Sequence, residues 1–146
     1  MADLTLTDES ATTRRSVRAA DDTAAATALG LRYGVAERRG ATLVARVRPD
    51  EWYVIDSDDL VADLDLSGFA STVDITHSRL QFRLTGDDAA RVLAKLCSID
   101  LGDHMTPNHA CVGTAVARVT CDLIRDDVAG TRSYPVSYTH LRAHET

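Results

Sequence analysis

The stretch Asp74-Ile75-Thr76-His77-Ser78 puts a carboxylate, an imidazole and a hydroxyl within five residues. These are the groups of a hydrolase triad, in which a base takes the nucleophile's proton and an acid orients the base. The spacing argues against that chemistry. In an extended strand, alternate side chains share a face, so Asp74, Thr76 and Ser78 point one way and Ile75 and His77 the other. No G-x-S-x-G elbow accompanies the serine. A second group, Cys97, His104, His109 and Cys111, offers four metal-ligating side chains within fifteen residues. Zinc needs ligands converging at about 2.0–2.3 Å, usually from closely spaced pairs. Here the intervening gaps are six, four and one residue, and both cysteines fall on apolar stripes, which reads as buried structural thiols.

The remaining candidates are weaker. Asp56, Asp58 and Asp59 form one acidic run and Asp126 and Asp127 another. Such runs are expected on solvated faces or turns. Acids at alternate positions around a glycine, which a calcium loop requires, are absent. Neither a G-x-G-x-x-G cradle nor a Walker motif occurs. Trp52, the lone tryptophan, follows a turn and reads as core or subunit contact. The residues therefore assign no catalytic group and no metal ligand, and leave cofactor-binding residues unknown. That favours an accessory or binding subunit over a stand-alone enzyme.

The elements that would position these groups are legible from periodicity. Thr23 to Leu29 predicts a short helix ended by Gly30. Leu43, Ala45 and Val47 alternate with Arg46 and Arg48, Pro49-Asp50 marks a turn, and Trp52 to Ile55 reads as the return strand of a hairpin over 42–55. Asp56 to Phe69 suggests a short helix and a break at Ser67-Gly68, followed by a strand over 71–77. Leu80, Phe82 and Leu84 alternate with polar residues in a further strand. After Thr85-Gly86-Asp87-Asp88, the apolar positions Ala89, Val92, Leu93, Leu96 and Cys97 follow a helical stripe, and Lys95 lies near its far end. That helix should lay one face on a sheet. From Cys111 to Leu123 every odd position is apolar or small, which predicts one long strand with a bend at Gly113. Thr131 to Tyr134 begins another. The pattern is α+β with a mostly antiparallel sheet.

The chain has 146 residues, 45% hydrophobic and 26% charged, with a formal net charge of −6. That length suits one domain, and an acidic surface argues against binding to phosphate backbones. No apolar run approaches a membrane span. The start MADLTLTDES lacks the basic region of a secretory signal, and three cysteines without a CxxC spacing suit reduced thiols, so a cytoplasmic location is expected. Lys95 is the only lysine beside fifteen arginines, which points to a GC-rich bacterial gene. Residues 1–22 are polar and read as a mobile arm, leaving 23–135 as a single domain. The ending VSYTHLRAHET, residues 136–146, matches the translation of a transposase adapter used in DNA sequencing. It is read as an artefact and set aside, with His140, Arg142 and His144. A natural chain cut near the last strand should leave an apolar face exposed near Val119, Cys121 and Leu123.

Four segments carry a family resemblance: Pro49-Asp50-Glu51-Trp52, Val73-Asp74-Ile75-Thr76-His77, Gly86 through Leu101, and Cys111-Val112-Gly113-Thr114. In this order they resemble the γ subunit of heterotetrameric sarcosine oxidase, within the group sharing the folate-binding fold of the glycine-cleavage T protein. The resemblance covers about Ala24 to Tyr134. It implies a glycine-cleavage T protein-like α+β fold and a part in oxidative demethylation of sarcosine to glycine. That reaction forms hydrogen peroxide, and methylenetetrahydrofolate when tetrahydrofolate is supplied. It also implies α, β and δ partner subunits, with FAD, FMN, NAD and tetrahydrofolate on the partners, zinc on δ, and no cofactor on this chain alone. The family's chain continues into a further helix, which implies C-terminal truncation here. The runner-up is a folate-dependent aminomethyltransferase or other folate-binding protein of that fold; a small interaction domain unrelated to one-carbon metabolism is the third.

Overall fold

The computed structural model describes residues 3–56 and 59–139. The elements among them run β1 (Thr5–Asp8), β2 (Arg14–Ala19), α1 (Ala24–Leu29), β3 (Ala36–Arg39), β4 (Thr42–Arg48), β5 (Glu51–Ile55), α2 (Asp59–Ala62), β6 (Ala70–Asp74), β7 (Arg79–Thr85), α3 (Ala89–Ala94), β8 (Cys111–Val116), β9 (Val119–Ile124) and β10 (Ser133–Thr139). They make two compact units where one domain was expected: Ala11–His77, and residues 3–10 joined with 78–139. Each unit holds one five-stranded sheet with antiparallel pairing throughout. Among the described residues no helix is long and apolar enough to cross a membrane.

In the Ala11–His77 unit the strand order is β3-β4-β5-β2-β6. One face presents Val17, Ala19, Val44, Trp52 and Val54, which pack with Ala25, Ala26 and Leu29 of α1 and Val61 of α2. Burying each large side chain of this set contributes about 1.5–3 kcal/mol. The helix α1 is short but well stopped. Thr23 Oγ1 accepts from Ala26 N, and Gly30, at φ 62, donates its N–H back to Ala26 O. Trp52 is 0% exposed, its Nε1 donates to Gly30 O at 2.8 Å, and the Arg46 guanidinium lies 4.6 Å from its ring centroid. It is a core residue, one of the two roles expected of it.

The predicted arm is not an arm. Residues 5–8 and 14–19 are strands, and β2 lies between β5 and β6. The charged and polar residues that read as disorder are paired within the unit. Ser16 Oγ bonds Glu51, and Arg14 Nη2 donates to Thr76 O. Polar composition argues for disorder only when the polar groups need water.

In the other unit the order is β1-β7-β10-β9-β8. Leu84 of β7, Tyr134 and Val136 of β10, and Cys121 and Leu123 of β9 share one face, and Ala89 and Leu93 of α3 cover it. The exposed face expected at Val119, Cys121 and Leu123 is therefore not found: Cys121 and Leu123 are buried and Val119 is half-buried. Residues 136–139, set aside as an artefact, continue β10, because Tyr134, Val136 and Tyr138 keep the alternation. His140, Arg142 and His144 lie outside the described residues. Pro135 sits in an inner strand, where it lacks an N–H to donate. The register on β9, with Ser133 O accepting from Asp126 N and Ser137 opposite Asp122, brings Pro135 to the bonding position opposite Ile124, so one ladder bond is given up there.

The long strand predicted over 111–123 is a hairpin. Ala117 and Arg118, at φ 50 and 69, form the two-residue turn, with Val116 opposite Val119. A two-residue loop exchanges parity across the hairpin. Val112, Thr114 and Val116 share a face with Val119, Cys121 and Leu123, while Cys111, Gly113 and Ala115 turn away. The alternation ran unbroken through the turn, and Ala-Arg carries none of the usual turn chemistry.

Gly86 anchors β1. At φ 140 it donates to Arg132 O at 2.9 Å, and a Cβ placed there would lie 1.9 Å from Asp3 O. Asp3 N donates to Asp88 Oδ2 at 3.1 Å across the same corner. Gly86→Ala is expected to lower stability by roughly 2 kcal/mol or more, read as a lower urea midpoint, because both the backbone angle and the space exclude a side chain.

Candidate functional site

The Asp74-to-Ser78 cluster is a turn, not a strand. β6 ends at Asp74, and Thr76 to Ser78 bend. Asp74 Oδ1 accepts from Thr76 N at 2.9 Å, and its bonds to Thr76 hold the carboxyl below the usual range. Thr76 is buried, and its Oγ1 accepts from Arg14 N at 2.9 Å. His77 and Ser78 are exposed. The acid is thus used to close a turn. The strand argument against a triad was built on an element that stops too early, but the acid is engaged all the same.

The four metal-ligating residues do not meet. Cys97 follows α3 and donates from Sγ to Leu93 O at 3.2 Å. His104 is exposed, and His109 is half-buried in the loop before β8. All three cysteines are thiols. Among the described residues no three of His, Cys, Asp and Glu approach as a metal set. Burial, and then the Asp122 carboxylate, push the Cys111 thiol up to about 12 and the Cys121 thiol up to about 11. Both therefore stay protonated and inert at neutral pH.

The acidic run at Asp126 and Asp127 is not solvated. Asp126 has a side chain 2% exposed and bonds Arg83 Nη2 at 3.0 Å. Arg83 also reaches Glu9 Oε2 at 3.0 Å and Ser133 Oγ at 2.8 Å. Asp127 takes Arg125 in a two-pronged pair, both bonds at 2.9 Å. Arg125 Nη1 continues to Asp103 Oδ1 at 2.6 Å and to Thr106 O at 2.9 Å, which ties the loop after α3 to the end of β9. The Arg125 bond, and then the charge of Arg132, lower the Asp103 pKa although that residue is exposed. Sequence counting found the acids but not their arginines: Arg125 stands two residues before Asp127, whereas Arg83 of β7 meets Asp126 only in the fold. In the other run, Asp56 lies in a turn, Asp59 opens α2, and Asp58 is outside the described residues.

The Ala11–His77 unit has two hollows among its described residues. One of about 530 Å³ is lined by Arg18, Ala19, Asp50, Gly68, Phe69 and Ser71, among others. The second, about 330 Å³, lies between Arg15, Thr72 and the apolar residues Val61, Ala62, Leu64 and Leu66. The first is open and carries one charge of each sign. Phe69 beside it is 88% exposed. Exposed aromatic surface next to a hollow suits contact with another molecule better than chemistry on a bound one.

These two sheets with their short helices define an α+β, mostly antiparallel protein of the glycine-cleavage T protein-like folate-binding fold. Among solved structures, the chain is similar to heterotetrameric sarcosine oxidase from Corynebacterium sp. U-96 in complex with pyrrole 2-carboxylate. The TM-score is 0.78 with 23% identity, covering 93% of this chain and 75% of that one. It is also similar to glycine cleavage system aminomethyltransferase T from Bartonella henselae, with a TM-score of 0.68 and 16% identity over 94% of this chain and 42% of that one. No family model and no curated protein sequence matches the chain.

Two outcomes test this account. Arg83→Met takes an ion pair from a buried carboxylate and should cost about 3 kcal/mol in urea unfolding, while a joint change with Asp126→Leu should recover part of that loss. For pH, the sign follows from the thiols. They ionise near 9.0 when unfolded but only near 11 to 12 when folded, so the native state holds more protons in that interval. Their contribution is complete below about pH 9 and is lost as pH rises through those values. Replacing Cys111 and Cys121 by alanine should flatten the alkaline fall in thermal midpoint.

Proposed function

We propose that the chain is the γ subunit of a heterotetrameric sarcosine oxidase, a structural subunit that acts only in the assembly. The observation that carries this reading is the fold shared with the oxidase over nearly the whole of this chain and three-quarters of that one. The four motif segments support it, in the same order and with similar gaps. So does the use of the acids. Asp74, Asp103, Asp126 and Asp127 hold turns and arginines, and Cys111 and Cys121 are kept neutral. In this reading α, β and δ subunits complete the oxidase. FAD, FMN, NAD and tetrahydrofolate belong to those partners, and this chain binds none by itself. Oxidative demethylation of sarcosine to glycine, with formation of hydrogen peroxide and methylenetetrahydrofolate, belongs to the assembly as a whole.

The second reading, a folate-dependent aminomethyltransferase, rests on the other fold match, in which this chain spans less than half the partner's length. A pterin ring needs buried groups that pair with its donor and acceptor edge. The larger hollow offers Arg18, Asp50 and Ser71, all exposed, and the smaller sets Arg15 and Thr72 among aliphatic side chains. Neither fits the ring, and no step is derived through folate.

The test is reconstitution. The purified chain alone is expected to carry no flavin absorbance and to release no peroxide from sarcosine. Co-expressed with α, β and δ subunits, it should co-purify with them. Turnover by the lone chain would overturn the assignment.

A further inference from the structure

The two edges of the β3-β4-β5-β2-β6 sheet differ in kind. β3 carries Glu37, Arg38 and Arg39, the charged residues that keep an edge from pairing with other chains. β6, Ala70-Ser71-Thr72-Val73-Asp74, has no lysine, arginine or proline and one acid at its end. Its register fixes which groups are available. Ala20 N donates to Phe69 O and Ile75 N to Arg14 O, so Ser71 and Val73 exchange bonds with β2 while Thr72 and Asp74 aim their N–H and C=O outward. Beside these groups, Phe69 is 88% and Val73 58% exposed.

Arg18 beside this edge is weakly paired. Arg18 lies opposite Ser71 on β2, its side chain 60% exposed. Its ion pair with Glu51 is 3.5 Å long, Glu51 is held closer by Arg48, at 2.9 Å, and the exposed Asp50 lines the same hollow. A second copy does not supply the missing acid. Pairing β6 with itself about Thr72 sets Asp74 opposite Ala70 and extends the Arg18–Ser71 row to Val73 and Ser16 of the other copy. That register favours a different chain over a second copy.

We propose that the β6 edge, with Phe69, Val73 and Arg18 beside it, receives an extended segment of a partner subunit that bears an acidic side chain, added as a sixth strand. Backbone bonds from Thr72 and Asp74 supply the pairing, the two apolar side chains supply buried area, and Arg18 selects for the acid. This deepens the γ-subunit reading and rests on it.

The test co-expresses the full chain with the α, β and δ subunits and compares four variants. Thr72→Pro removes an outward N–H without taking a bond from β2, as an edge position allows. Val73→Lys and Arg18→Glu change exposed side chains, so they test the edge even if the proline variant misfolds. Glu37→Gln on β3 is the control. The first three should each reduce the assembled fraction by about tenfold, as hot-spot residues do. The control should not, and assembly should slow amide exchange at Thr72 and Asp74. Wild-type assembly of Val73→Lys and Arg18→Glu would overturn the edge proposal and leave the subunit reading intact. Failure of the unaltered chain to join any of the three subunits would overturn both. A homodimer that these variants dissolve would make the occupant a second copy and sink the partner-strand proposal.

Discussion

One constraint organises both units: a five-stranded antiparallel sheet must hide one apolar face, and only short helices are at hand to cover it. In one unit α1 and α2 close over Trp52, Val54 and Val17; in the other α3 closes over Leu123, Tyr134 and Val136. Because side chains alternate along a strand, sliding any strand by one residue would turn its apolar set to the wrong side. Register is therefore fixed wherever a helix sits. The turns, bulges and glycine corners are consequences of keeping it. Gly86 shows how tight the result is, with Asp3 packed where a side chain would stand.

The arginines form the second structural system. Arg83 and Arg125 each join carboxylates from separate segments, and Arg14 and Arg46 tie strand ends and turns through backbone carbonyls. A planar guanidinium can satisfy several acceptors at once, which suits this work better than an ammonium. Such pairs add little net stability over an apolar core, but breaking one leaves a buried charge alone. What the surface offers is an open strand edge, an exposed phenyl ring and an under-neutralised cation.

Fold likeness carries a limited inference, since one fold hosts many activities. The oxidase and the aminomethyltransferase share this architecture with the chain at 23% and 16% identity. The subunit reading is carried by the fold match, and the use of the chain's own groups supports it. Its acids close turns and hold arginines, and its buried thiols are inert.

Local pattern alone determined a good part of the structure. Periodicity gave the hairpin of β4 and β5, the strand β7 and the position of α3, because each depends on residues adjacent in the chain. Of the two cysteines of the would-be metal cluster, Cys111 is buried as expected, though on the face away from Cys121 and Leu123, and Cys97 is half-buried. Pairing decided the rest. A two-residue turn at Ala117-Arg118 split one predicted strand into two with opposite facing. Residues 5–8 and 14–19 left the expected arm for their sheets. The acids at 126 and 127 went inward to arginines from β7 and β9. Apart from the local pair of Asp127 with Arg125, these outcomes depend on partners distant in sequence, and alternation along a chain says which residues share a face without saying which strand, or which opposite charge, that face will meet.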